Sequence, residues 1–217
     1  MPEPGFERTR IKFCGITRSV DAAAAVACGA DAIGLVFVPG SGRAVTAEQA
    51  AEIARSVAPF VARVGLFRNA EAATVRAVLA RVELDYLQFH GEESAEFCAQ
   101  FARPWLKAVP MAKPIPPPAL AEFLAEYAAA SGWVFDSHDA GGSGGSGQTF
   151  DWSPIPRNLG TRLILAGGLH VGNVAAALAA VHPYAVDLSS GVESAPGVKD
   201  HAKMRAFVHE VRRAERH

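Results

Sequence analysis

The sequence predicts a single (β/α)8 barrel, and three observations carry that prediction. Short apolar runs rich in valine, isoleucine and leucine alternate eight times with alanine-rich helical stretches. Several of these runs are apolar on both faces, as suits parallel strands covered by helices outside and filled by side chains within. Late in the chain, Ile164-Leu165-Ala166-Gly167-Gly168 and Val186-Asp187-Leu188-Ser189-Ser190-Gly191 each run from an apolar strand into a loop of small residues. A barrel commonly keeps a phosphate site in the loops after its seventh and eighth strands. A doubly wound sheet would share the alternation, but its dinucleotide site needs G-x-G-x-x-G after the first strand. Cys14-Gly15-Ile16-Thr17 is not that pattern.

Strands are expected at Ile11–Cys14, Ala32–Phe37, Ala62–Phe67, Tyr86–Phe89, Trp105–Val109, Trp133–Asp136, Leu163–Ala166 and Ala185–Leu188. Helices are expected at Val20–Cys28, Ala47–Ala58, Ala70–Arg81, Ser94–Phe101, Ala119–Ala130, Val171–Ala180 and Asp200–Arg213. The sixth unit is the weakest, because Ser153–Leu159 carries two prolines and supports only a short helix. Lys113-Pro114-Ile115-Pro116-Pro117-Pro118 reads as a stiff connector between the fifth strand and its helix. The glycine-rich run Gly141–Gly147 reads as a flap across the barrel mouth.

The bulk properties suit one catalytic domain over residues 1–217, with 1–8 as a flexible tail, since no low-complexity linker divides the chain. Half of the residues are hydrophobic and the formal charge is −1 with both signs dispersed. No basic face is offered to nucleic acid. The start Met1-Pro2-Glu3-Pro4-Gly5 lacks a targeting pattern and no run reaches membrane-spanning length, so neither membrane nor nucleic acid is expected as a partner and a cytoplasmic location is. Three cysteines without metal-ligand spacing read as reduced thiols, not a disulfide framework or a zinc site. Monomer and homodimer both stay open.

Chemistry in a barrel belongs at the C-terminal strand ends, where Cys14, Arg43, His90, Asp136 and Asp187 fall. Cys28 and Cys98, on apolar helical positions, read as inert core thiols. Cys14 differs, because the glycine after it marks where the strand leaves the core. A thiol acting as a base near neutral pH needs positive charge or local dipoles to favour its anion. Lys12 shares its strand face and either biases the sulfur or pairs with Asp136 or Asp187. Asp136 follows Trp133-Val134-Phe135, and burial beside aromatics would keep its proton available; the plainer reading is an aspartate capping the next loop. A thiolate and a carboxylic acid facing one another suit a proton-transfer isomerisation. The backbone amides of Gly167, Gly168, Ser190 and Gly191, helped by the Ser189 hydroxyl, would cradle a phosphate.

Seven segments in order then resemble phosphoribosylanthranilate isomerase of tryptophan biosynthesis, over Lys12 to about Asp200. They are Lys12–Thr17, Phe37 with Ser41–Arg43, Val64–Phe67, Leu87–Gly91, Gly144–Trp152, Leu165–Leu169 and Asp187–Glu193. One departure is a second Gly-Gly-Ser-Gly run in 141–147, where the family usually has one. The resemblance implies a cofactor-free Amadori rearrangement of a phosphorylated aminosugar, with Cys14 as general base and Asp136 as general acid. It implies Arg43 at the anthranilate end, with His90, Gly145 and Asp187 lining the site beside the phosphate loops. Three rivals stand beside this reading. A histidine-pathway aminoaldose isomerase would carry an aspartate where Cys14 stands, a lyase or indole-glycerol-phosphate synthase would need Lys107 as its catalytic lysine, and a binder would hold sugar phosphate without turnover.

Overall fold

The computed structural model describes residues 8–137 and 149–216. Eight parallel strands close into a barrel in chain order, with β1 returning to pair with β8. They are β1 (Arg10–Phe13), β2 (Ala32–Val36), β3 (Ala62–Phe67), β4 (Tyr86–Phe89), β5 (Trp105–Pro110), β6 (Gly132–Asp136), β7 (Leu163–Leu165) and β8 (Ala185–Leu188). The helices are α1 (Ser19–Ala27), α2 (Ala47–Ser56), α3 (Ala72–Leu79), α4 (Ala95–Ala99), α5 (Pro117–Glu126), α6 (Val174–Val181) and α7 (His201–Ala214). No helix among the described residues is long and apolar enough to cross a membrane.

Strand periodicity sorts the side chains into two cores. Val64, Leu106, Val134, Ile164, Ala166 and Ala185 fill the barrel itself. Residues of the opposite parity, among them Phe13, Ile33, Phe67, Phe89, Phe135 and Val186, pack outward against the helices and are fully buried. Burial of each such side chain contributes roughly 1.5–3 kcal/mol. Local chemistry fixes the helix starts. Thr46 and Gln49 form a reciprocal capping box on α2, Ser94 caps α4, and Asp200 accepts from the amides of Ala202 and Lys203 on α7.

Several expectations need correcting. Pro117 and Pro118 belong to the first turn of α5, where their missing N–H groups cost nothing, so the stiff connector is shorter than its proline content suggests. Helices α3, α4 and α6 are shorter than the sequence suggests, because their expected ends are turns. Among the described residues no α-helix lies between β6 and β7. Ser153–Leu159 forms turns, consistent with the donors lost at Pro154 and Pro156, and a 3-10 turn at Gly160–Arg162 leads into β7. Cys28 lies one residue past α1 rather than inside it. A short antiparallel hairpin, β9 (Glu193–Ala195) and β10 (Val198–Lys199), follows β8 and was not expected. The flap at Gly141–Gly147, including Gly145, and the tail up to residue 7 lie outside the described residues; Arg8, at the tail's end, pairs with Asp31.

Candidate active site

Cys14 continues the line of β1 just past its end, its amide donating to the Leu188 carbonyl at 2.9 Å. The sulfur turns into the barrel against β2, and only a glycine allows it. A Cβ on Gly34 would lie 2.7 Å from Cys14 Sγ. An isolated glycine within the apolar strand Ala-Ile-Gly-Leu-Val signals such a close approach. The next residue, Gly15, has φ +73°, and a Cβ there would sit 2.5 Å from Arg43 Cδ. The chain therefore bends out of β1 directly beneath the arginine stem.

One cavity opens at the C-terminal ends of the strands. Cys14, Asp136, His90 and Arg43 line it together. Gly167, Gly168, Asp187, Ser189 and Ser190 line it as well. Gly191 lies behind the wall, where a Cβ would fall 2.0 Å from the Leu169 carbonyl oxygen, so it is the contact that joins the seventh and eighth loops. Gly167 and Gly168 both take left-handed backbone angles, φ +79° and +62°. Among the described residues, the amides of Gly167, Gly168, Ser190 and Gly191 donate to no protein acceptor. Converging amides without acceptors form an anion-binding concavity.

The Ser189 hydroxyl, expected to help with the phosphate, is instead engaged by the protein. It donates to the Cys14 carbonyl at 3.0 Å and lies 3.3 Å from Glu193. Arg43, expected to be available for a carboxylate, has its Nε and Nη2 bound to the Glu193 carboxylate at 2.9 and 2.8 Å. Burial alone would raise the Glu193 carboxyl, yet Arg43 and Lys199 together hold it below its usual range.

Lys12 resolves the alternatives left open for it by pairing with Asp187 at 2.5 Å, both side chains 6% exposed. Its charge also acts on the Cys14 thiol, which the lysine biases toward the anion. Positive charge near the sulfur favours its anion, but burial outweighs it. Burial pushes the Cys14 thiol up, and Lys12 and Lys199 only partly oppose it. Cys98, buried in α4, is pushed up to about 12, chiefly by burial, as befits a core thiol.

His90 is more than a pocket wall. Its Nε2 stands 3.2 Å from Asp136 Oδ2, and its Nδ1 lies 3.3 Å from the buried amide nitrogen of Gln88. An amide donor at Nδ1 favours the tautomer whose Nε2–H faces Asp136. Gln88, Gly34, Glu193, Lys199 and Arg68, which also lines the cavity, were not singled out from the sequence. Lys107, the lysine a synthase would need, points away from the mouth. It pairs with Glu93 at 3.0 Å and lies over the Tyr127 ring.

Comparisons with known proteins follow this geometry. The family model described as N-(5′phosphoribosyl)anthranilate isomerase matches residues 11–210. N-(5′-phosphoribosyl)anthranilate isomerase of Nitrosococcus oceani is 52% identical over 201 residues, covering 93% of this chain and 96% of its own. The enzyme of that name from Pseudomonas paraeruginosa is 53% identical, covering 94% and 95%. The crystal structure of phosphoribosyl anthranilate isomerase from Thermotoga maritima superposes with a TM-score of 0.84 at 39% identity, covering 94% of this chain and 98% of that one. A structure of that enzyme in complex with reduced 1-(o-carboxyphenylamino)-1-deoxyribulose 5-phosphate superposes at 0.78 and 36% identity, covering 94% and 98%. This chain belongs to the N-(5′-phosphoribosyl)anthranilate isomerase family.

Proposed function

We propose that this one-domain protein rearranges N-(5′-phosphoribosyl)anthranilate to 1-(2-carboxyphenylamino)-1-deoxyribulose 5-phosphate, with Cys14 as base and Asp136 as acid. The observation that carries the assignment is that a thiol and a carboxyl on different strands share one cavity, between an arginine and two loops of unengaged amides. The loop amides take the sugar phosphate and Arg43 the anthranilate carboxylate, which tethers the ribose at both ends. Fixing the reactants in this way supplies several kcal/mol of barrier reduction. A cytoplasmic setting is part of the reading and suits the three free thiols.

Asp136 protonates the ring oxygen as the bond from C1′ to that oxygen breaks, and the nitrogen lone pair forms the C1′–N double bond of an iminium. Cys14 thiolate removes the C2′ proton. The electrons of that C–H bond become a C1′–C2′ double bond while the iminium π pair returns to nitrogen. The resulting enolamine loses its C2′ hydroxyl proton and gains one at C1′, giving the ketone. The substrate gains one proton from Asp136, loses one to Cys14 and exchanges its hydroxyl proton for one at C1′, with no net oxidation; Cys14 then gives its proton up to solvent and Asp136 takes one back, which resets the pair. Burial raises the Cys14 thiol, and the iminium cation forming beside the sulfur favours the thiolate that this step requires. His90, whose Nε2 stands 3.2 Å from Asp136 Oδ2, orients the acid, and Asp187 holds Lys12 at the base.

The test is loss of substrate fluorescence with purified protein and no added cofactor. Cys14→Ser and Asp136→Asn should each lower kcat by about 10²- to 10⁴-fold while sugar-phosphate binding persists. Turnover retained in either variant removes that residue's assigned role; turnover unaffected in both removes the mechanism.

A further inference from the structure

A guanidinium carries five N–H groups in one plane. At Arg43 the protein uses one edge of it. Nε and Nη2 donate to the two oxygens of Glu193, whereas Nη1 has no acceptor among the described residues. The edge formed by Nη1 and the second Nη2 hydrogen is the one left for the cavity that Arg43 lines. That edge still matches a carboxylate in bidentate fashion.

Glu193 is itself immobilised. Its side chain is 5% exposed, and Oε1 accepts from Lys199 Nζ at 2.8 Å. The Lys199 side chain is fully buried and also donates to the Ser189 carbonyl at 3.1 Å. The hairpin explains the arrangement, since its register sets Lys199 of β10 directly across from Glu193 of β9. Turning Glu193 away from Arg43 would also loosen its hold on this ammonium, and an unpaired buried charge is strongly disfavoured. Charge matters as well. Arg43 and Lys199 bring two positive charges to one negative, so the cluster retains one net positive charge toward an incoming anion.

We propose that Glu193 is a positioning residue that selects which edge of Arg43 faces the substrate, and thereby sets affinity for the carboxylated aromatic end without touching the reacting atoms. The proposal rests on the reading of Arg43 given above. The experiment compares Glu193→Gln, Arg43→Ala and the double variant using two probes followed by calorimetry. Reduced 1-(o-carboxyphenylamino)-1-deoxyribulose 5-phosphate carries the aromatic carboxylate, and ribose 5-phosphate lacks it.

Glu193→Gln should weaken the first probe about tenfold and raise KM similarly, with kcat and ribose 5-phosphate affinity within about threefold. In the Arg43→Ala background it should add nothing. The direction is diagnostic, because the substitution adds a net positive charge and a purely electrostatic role would tighten the first probe. Unchanged or tighter binding of that probe, or equal weakening of both, overturns the proposal. If Arg43→Ala weakens the first probe and Glu193→Gln does not, only the role of Glu193 falls. If Arg43→Ala has no effect, the reading of Arg43 falls with it. Should Glu193→Gln not fold, Glu193→Asp keeps the charge beside Lys199, shortens the reach to Arg43, and is judged by the same losses.

Discussion

Two buried ion clusters stand on the same barrel and differ in how completely their hydrogen-bonding capacity is filled. On the outer wall, Lys107 donates to Glu93 and to the Gly91 carbonyl, at 3.0 and 2.6 Å, while Glu93 accepts from the amides of Asn69 and Gly91 at 2.7 and 2.9 Å. That cluster is saturated. At the mouth, Asp187 Oδ2 accepts from Lys12 while its Oδ1 is buried with no partner among the described residues, and Gln88 Oε1 is in the same state. Arg43 keeps an edge open, and the loop amides have no acceptor among the described residues. Folded proteins rarely leave buried polar groups without partners. Of two buried ion clusters, the unsaturated one is the one a ligand completes.

Breaking the saturated cluster should produce the largest change in stability and little change in chemistry. Lys107→Met strands the Glu93 carboxylate and is expected to cost about 3–5 kcal/mol, read from the urea midpoint. Its kcat/KM, measured where the variant is fully folded, should stay within about threefold of the parent. A loss of activity ahead of stability would erase the contrast between the clusters.

Gly191→Ala acts between the two regimes. The new methyl meets the Leu169 carbonyl and forces the seventh and eighth loops apart, at an expected cost of about 1–3 kcal/mol. Ribose 5-phosphate titration should show weakened binding beyond any change in folding. Full affinity would mean that the contact between the loops does not shape the anion site.

Lys12→Met sharpens the comparison at its most delicate point, where the lysine pairs with Asp187 beside Cys14. Lys12 stabilises the anionic form of Cys14, so its removal disfavours that form and raises the thiol further. Alkylation of Cys14 by iodoacetamide as a function of pH should therefore show a midpoint displaced to more alkaline values. An unchanged midpoint would separate this lysine from the base.

The strands were legible almost to the residue, because Val, Ile and Leu runs bounded by glycine, proline and polar residues leave little freedom in a closed parallel sheet. Residues now found around the cavity were also legible: Cys14, His90 and Asp136 fall on or just beyond strand ends, and Arg43 lies in the loop between β2 and α2. The β9–β10 hairpin was not, since Glu193-Ser194-Ala195 and Val198-Lys199 lack apolar alternation, although Pro196-Gly197 between them is a turn signal. Its pairing of Glu193 with Lys199 depends on three-dimensional register. The engagement of Ser189 and Arg43 by the protein was illegible for the same reason, because their partners come from the Cys14 carbonyl and from the hairpin. Gly34 was readable in principle, as a lone glycine inside an apolar strand.

The bare backbone at Gly15 has a consequence for redesign. Arg43 Cδ and Ser189 Oγ crowd the place where its side chain would grow, at 2.5 and 3.0 Å, so the proposed arylamine contact of Arg43 and the placement of the sulfur share one hinge of peptide. An engineer who wants a different amine accepted must leave that hinge untouched. Variation belongs at Val38, Leu66 and Arg68, which face the cavity from the ends of β2 and β3.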